Sequence, residues 1–134
     1  MAIDHHASVL LLMGFSSPAG KLQKTDRIRG IQNSYLTVSH VMHSVEDGLE
    51  IILDNGTSLC VSYDQMLLSM AGWKHASSLV KEEWLVGNGE DELLEITEIR
   101  QVKTLKLVNV YSEVSGTFLA NGVLVASSFD KCVS

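Results

Sequence analysis

Turn punctuation limits what this chain can fold into more than any other feature. Short apolar or alternating segments (SVLLLM, DRIRGI, SHVMHSV, LEIILD, SLCVSY, EWLVG, LEITEIRQV, TLKLVNVY, TFLA and GVLVAS) follow one another at short intervals. Between them stand SSPAG, EDG, DNG, AGW, NGED, SG and ANG, most of which join Gly to Asn, Asp or Ser. Segments of this length with period-two alternation are strands, and Gly paired with Asn or Asp supplies the backbone conformations that tight hairpins require. Helical periodicity is almost absent. Only Lys21 to Thr25 and His75 to Lys81 leave room for a helical turn, each just before a strand. The expected fold class is all-β.

Size and charge narrow the function classes. A chain of 134 residues buries roughly two-thirds of its extended surface as one domain, so residues 1–134 are expected to share one core. With 46% apolar and 19% charged residues and a single proline, the composition is globular and leaves little linker. The net charge is -6, and its few cations are scattered among acids, so no basic patch for nucleic acid is expected. The longest apolar run, SVLLLMGF at 8–15, is far short of the roughly 20 residues of a membrane span. Asp4 stands where a signal peptide would carry a basic flank. A cytoplasmic, non-membrane chain is the expectation. Two cysteines are too few for a disulfide scaffold or a cysteine zinc site.

The chain also repeats itself. LQKTDRIRG at 22–30 matches LVKEEWLVG at 79–87, and DNGTSLCVS at 54–62 matches ANGVLVASS at 120–128. Two matches in the same order point to two related halves, about 7–62 and 72–128.

On these blocks the chain resembles the Hint superfamily, the module shared by inteins and the autoprocessing part of hedgehog proteins. ASVLLLMG followed by LQKTDRIRG is similar to the opening of that family, with Asp26 at its aspartate. LEIILDNGTSLCVSYDQMLLSMAGWKHASSLVKEEWLVG at 49–87 is similar to its middle, and YSEVSGTFLANGVLVASS at 111–128 to its end. The resemblance implies a horseshoe-like fold of duplicated β-hairpin subdomains and a self-processing reaction. In that reaction the first residue attacks the preceding carbonyl to form a thioester or ester. It needs a nucleophile, a donor for the oxyanion and a group that protonates the departing amine.

The residues at those positions depart from the pattern. Counting back from Val9-Leu10 places the nucleophile at Ala2, which carries none. Thr37-Val38-Ser39-His40 is the only literal Thr-x-x-His, but it precedes the DNG hairpin that the family's box follows. Context places the box at Ser62-Tyr63-Asp64-Gln65. Ser62 keeps a hydroxyl at the threonine position, Asp64 matches the acid that often precedes the histidine, and Gln65 fills the histidine position without a titratable proton. The late tyrosine-aspartate pair becomes Tyr111-Ser112. Ala126 and Ser127 stand where splicing inteins have His-Asn, and Ser128 falls where hedgehog proteins have a cysteine. A single nucleophile replacement explains Ala2 alone. The four departures together favour decay, or a branch with its own chemistry.

The resulting expectation is a self-processing domain fused to flanking polypeptide, monomeric, without cofactor or metal, and impaired as written. A β-rich module that binds extended peptide at its strand edges is the competing expectation. It would be favoured if the first and last strands did not meet near Ser62. A metal-dependent enzyme would require His5, His6, His40 and His43 to converge, which the spacing of His40 and His43 on opposite strand faces disfavours. Cys60, Trp73 and Trp84 are expected to pack in the core or against hairpins, and Cys132 to be exposed. Glu46 and Asp47 lie near the region where hedgehog proteins hold a sterol-activating acid.

Overall fold

The computed structural model describes residues 1–30, 34–87, 92–114 and 116–129. Cys132 and the NGED turn at 88–91 fall outside them. The order of elements is β1 (Ile3–Asp4), β2 (Ser8–Leu10), β3 (Ser16–Pro18), β4 (Arg27–Arg29), β5 (Tyr35–Leu53), β6 (Ser58–Ser62), β7 (Met66–Ser69) and β8 (Gly72–His75). Then come β9 (Trp84–Val86), β10 (Leu93–Ser112), β11 (Thr117–Ala120), β12 (Val123–Ala126) and β13 (Ser128–Phe129). The two expected helical turns are shorter than the sequence suggests, single 3-10 turns at Ala19–Lys21 and Ala76–Ser78. All the described strands join one hydrogen-bonded network. Its spine is the antiparallel pair of long strands β5 and β10, in register from Leu53↔Ile96 to Val38↔Ser112 across three irregularities.

The first of the two sequence matches is an exact local equivalence. Leu22 and Leu79 each donate a backbone bond into the preceding 3-10 turn, to Ala19 and Ala76. Asp26 Oδ2 accepts from the Gln23 amide at 2.9 Å, and Glu83 Oε1 accepts from the Val80 amide at the same distance. Thr25 and Glu82, the last residues before these acids, both take φ 79°. β4 pairs with the start of β5 as β9 pairs with the start of β10. β2 pairs with β3 through Ser8↔Pro18, as β7 pairs with β8 through Met66↔His75.

The second match has a different meaning. β6 lies between β5 and β1, whereas β12 lies between β11 and β7. These are two similar hairpins in inequivalent places. Similar pairings run through β2 to β5, from Ser8 to Leu53, and through β7 to β10, from Met66 to Ser112. The β11–β12 hairpin has no counterpart and joins the copies, with Ala120 paired to Val9 and Val125 to Leu67. Asn121, at φ 50°, clasps this junction: its Oδ1 accepts from the Ser8 amide at 2.7 Å and its Nδ2 donates to Ser58 O at 2.9 Å.

Alternating residues of these strands supply one core. Val9, Ile28, Ile51, Val61, Leu67, Leu85, Ile96 and Phe118 are buried together. Trp73 and Trp84, expected to pack in the core or against hairpins, are 39% and 38% exposed. Trp73 lies on the exposed phase of β8, opposite Leu68 of β7, and Trp84 on the exposed phase of β9, beside the buried Leu85. Cys60 is half-buried on the outward phase of β6, and burial, with Asp4 and Glu50 nearby, pushes its thiol up to about 11. A thiol that stays protonated at neutral pH is a poor nucleophile.

The paired left-handed positions provide a stability test. Thr25 is exposed, and a β-branched residue at positive φ carries about 1–2 kcal/mol of strain. Thr25→Gly relieves it at some cost in unfolded-chain entropy. Urea unfolding is expected to show a net gain of about 0.5–1 kcal/mol, and a loss would contradict the assigned backbone conformation.

Candidate functional site

Both ends of the described chain reach one edge of β10. β1 runs antiparallel to it, with Ile3 opposite Val108, and β13 runs parallel to it, with Ser128 opposite Tyr111. β5 occupies the other edge. The Met1–Ala2 peptide and the Ala126–Ser128 segment therefore converge beside Asn109 and Val110. β6 closes the space on the far side of β1 by pairing Val61 with Ile3.

At the end of β6 the SYDQ corner turns onto this meeting point. Ser62, only 1% exposed, accepts from the Ala2 amide through its Oγ at 2.9 Å, and its own amide donates to Ala2 O at 2.9 Å. The Ser62 hydroxyl donates to Asp64 Oδ1 at 2.7 Å. A hydroxyl has one proton, so with Asp64 as its acceptor Ser62 presents a lone pair to the Ala2 nitrogen. Ser62, expected to keep a hydroxyl at the threonine position, directs its proton to the neighbour two residues on. Burial alone would push the Asp64 carboxyl up, but the Ser62 hydroxyl and the Met1 nitrogen, 3.2 Å from Oδ2, outweigh it and hold the carboxyl below its ordinary range.

Gln65 points elsewhere. Its side chain is buried, and Nε2 donates to Ala126 O and to Met66 O, each at 3.0 Å. Both amide hydrogens are thereby engaged, with Met1 Sδ a more distant neighbour at 3.9 Å. Gln65 ties the corner to the C-terminal strand. The corner is braced from behind by the turn after β8: Ser77 and Ala76 amides donate to Tyr63 O and Gln65 O, and the His75 ring Nδ1 lies 3.1 Å from Asp64 O.

The remaining predicted positions form a second cluster. Ser112 and Ser127 Oγ atoms are 2.7 Å apart, both side chains buried, and Ser112 Oγ donates to Val114 O at 2.5 Å. Ser112 has one proton, directed to Val114 O, and the Ser127 proton is shared between Ser112 Oγ and Gly116 O, the latter at 3.3 Å. Ser128 Oγ donates to Asn109 Oδ1 at 2.6 Å. Neither serine at 127 or 128 has a titratable base within hydrogen-bond distance among the described residues. Asn109 was missed in the sequence because it lies mid-strand, just ahead of the block that begins at Tyr111, and nothing local marks its pairing with Ser128. A cleft of about 280 Å³ lined by Met66, Trp73, Gly116, Thr117, Ala126 and Ser127 opens beside this cluster.

The other candidates disperse. Thr37 and His40 lie on β5, across β10 from the Ala2 and Ser128 edge, and His40 stacks on the Tyr111 ring with centroids 4.3 Å apart. The His5 ring lies against His6 at a tilt of 39°, with centroids 3.7 Å apart, and shares a cleft of about 340 Å³ with His43 and Lys106. Among the described residues no three His, Cys, Asp or Glu side chains are grouped to hold a metal. Asp47 Oδ1 accepts from the Thr104 amide in the β5–β10 ribbon, and Glu46 from Ser44, which gives both acids local partners. No helix among the described residues is long and apolar enough to cross a membrane.

No protein-family model and no curated protein sequence matches this chain. Solved structures do. A DnaB intein from Synechocystis sp. PCC 6803 superposes with a TM-score of 0.85 at 18% identity, covering 95% of this chain and 98% of that one. The gp41-1 intein gives 0.82 at 21% identity over 92% and 96%. The MchDnaB-1 intein gives 0.79 at 14% identity over 92% and 98%. The chain has the all-β Hint fold of the inteins.

Proposed function

We propose that this chain is a Hint-type self-processing domain in which the peptide bond between residues 1 and 2 occupies the place of the bond that such domains convert to an ester or thioester. One observation carries the reading. The Ala2 amide is buried against a hydroxyl from the SYDQ corner, at the point where the first and last strands meet on β10. The domain would act once, on polypeptide joined to it covalently.

As written, the site lacks what the reaction consumes. Ala2 offers no heteroatom to attack the carbonyl of residue 1. Gln65 cannot carry a proton, and both of its donors are already engaged away from the Ala2 nitrogen. At the far end Ser127 has a hydroxyl where cyclisation requires a carboxamide, so release of a C-terminal flank has no route. Losing a nucleophile outweighs any other loss, because residues that act as a unit do not contribute additively.

Restoring the missing atom is the test. A reporter fused ahead of Met1 is expected to stay attached in the unaltered chain and to be released by added thiol once Ala2→Cys is introduced. Intact-mass spectrometry reads the outcome, and a fusion that stays whole with Ala2→Cys would count against the assigned junction.

A further inference from the structure

We propose that Asp64, acting through the Ser62 hydroxyl, is the proton station of this site and performs the amine-protonating task for which Gln65 is unfit. The inference deepens the self-processing reading and rests on it for its kinetic consequences. Its structural basis stands apart from that reading. The Ala2 nitrogen is buried, and its hydrogen-bond partner is Ser62 Oγ at 2.9 Å. Ser62 is itself buried, and its proton points to Asp64 Oδ1 at 2.7 Å. Asp64 has a side chain 66% exposed. A buried peptide nitrogen is thus connected to bulk water by one hydroxyl and one carboxyl. Gln65, in the position the family gives to the acid, reaches Ala126 O and Met66 O instead.

With a thiol at position 2 the steps balance as follows. The Ala2→Cys thiol loses its proton to solvent. Its sulfur forms a bond to the carbonyl carbon of residue 1, and the bond from that carbon to the nitrogen of residue 2 breaks. Asp64 first takes a proton from solvent and donates it toward Ser62 Oγ. Ser62 turns its own hydroxyl proton from Asp64 to the lone pair that the nitrogen gains as the carbonyl carbon becomes tetrahedral. The departing nitrogen takes that proton, and Ser62 takes the one from Asp64. One proton leaves sulfur and one arrives on nitrogen. No oxidant or further reactant is required.

The consequence is a pH profile. In the fusion the Met1 nitrogen is an uncharged peptide amide, and the Ser62 hydroxyl remains as the donor to Asp64. A carboxyl with an ordinary value of about 4 loses its protonated fraction about tenfold per pH unit above that value. The thiolate fraction rises about tenfold per unit up to its pKa near 8.5. The two trends cancel, and release should be level between about pH 5 and 8. Without the carboxyl only the thiolate trend remains. The groups that face Asp64 are the Ser62 hydroxyl from β6, the Met1 nitrogen from the segment ahead of β1, and His75 from β8. A His75→Gln control therefore accompanies the series.

Release by saturating thiol is followed at pH 5.5, 6.5 and 7.5 in the reporter fusion carrying Ala2→Cys, alone and with Asp64→Asn. The expected result is a rate constant within about threefold across the range for the first, and a drop of about 10² from pH 7.5 to 5.5 for the second. Parallel profiles would overturn the relay and leave the self-processing reading standing. In the unaltered chain, the Ala2 amide ¹⁵N and ¹H shifts are followed from pH 7 to 3, with Asp64→Asn and Ser62→Ala for comparison. They should move with the Asp64 carboxyl below pH 4, and stay flat in both variants. An Ala2 amide indifferent to Asp64 titration overturns the proposal even where release is observed. Coupled shifts without any release would retain the relay and count against the self-processing reading.

Discussion

Ser62→Ala, introduced into the reporter fusion that carries Ala2→Cys, is expected to slow thiol-dependent release by about 10²–10³-fold while leaving the fold in place. The size of the effect follows from what the hydroxyl touches. It is the acceptor for the Ala2 amide and the donor to Asp64, so its removal takes away the partner of the nitrogen that must leave and disconnects that nitrogen from the surface carboxyl. Removal of one preorganised polar group from an active site costs about 10²–10³ in rate, and removal of a general acid about 10²–10⁴. Stability should change far less, because the backbone bonds between Ser62 and Ala2 O and between Gln65 and Ser62 O remain. Single-turnover release measured beside urea unfolding separates the two effects. A loss of release that merely followed a loss of fold would assign Ser62 a structural task only.

Gly48→Ala is expected to destabilise the protein by about 3 kcal/mol, the upper end of what overpacking usually costs. Gly48 lies on β5 opposite both Ser62 and Val102, where β5 passes between β6 and β10. A β-carbon placed there would come within 2.2 Å of the Val61 carbonyl oxygen and 3.0 Å of a Leu105 methyl. The side chain can move aside. The carbonyl belongs to the β5–β6 ladder and to the backbone that delivers Ser62, so strand pairing and the site corner must shift together. Gly56→Ala is the control. At φ +85° with open space around the added carbon it meets no neighbour, and only the left-handed strain of about 1–2 kcal/mol applies. Urea midpoints for the two variants should differ in that order. Equal losses would mean that crowding at Gly48 has been relieved by local movement.

How far the sequence carried these conclusions depended on the range of the signal. The SYDQ corner was legible because its markers are local: a DNG hairpin before it, a Gly-Trp hairpin after it, and a strand leading in. The equivalence of residues 22–30 and 79–87 was legible for the same reason, since the acid that caps each turn sits three residues from the amide it caps. The second match misled because Asn-Gly reports a tight turn and says nothing about which strands the hairpin joins. Cross-strand partners left no trace. Asn109 meets Ser128, Gly48 meets Val61, and Gln65 meets Ala126 only after β5 and β10 have brought distant segments together. The direction of the Ser62 proton was equally hidden, since it depends on where the Asp64 carboxylate settles after the corner has formed. Trp73 and Trp84 show that residue type leaves core and hairpin packing open: they lie on the exposed phase of β8 and β9 and are 39% and 38% exposed.

The claim that residues 1 and 2 flank the reacting bond is tested most directly by the mass of what is released. With Ala2→Cys and an added small thiol, the reporter fragment should end at residue 1 and carry that thiol as a C-terminal thioester, its mass raised by the thiol and lowered by water relative to the free acid. The complementary fragment should begin at position 2 with a free amine. A cut at any other bond, or a fragment ending in a plain carboxylate that never incorporates thiol, would contradict acyl transfer at the Ser62 corner.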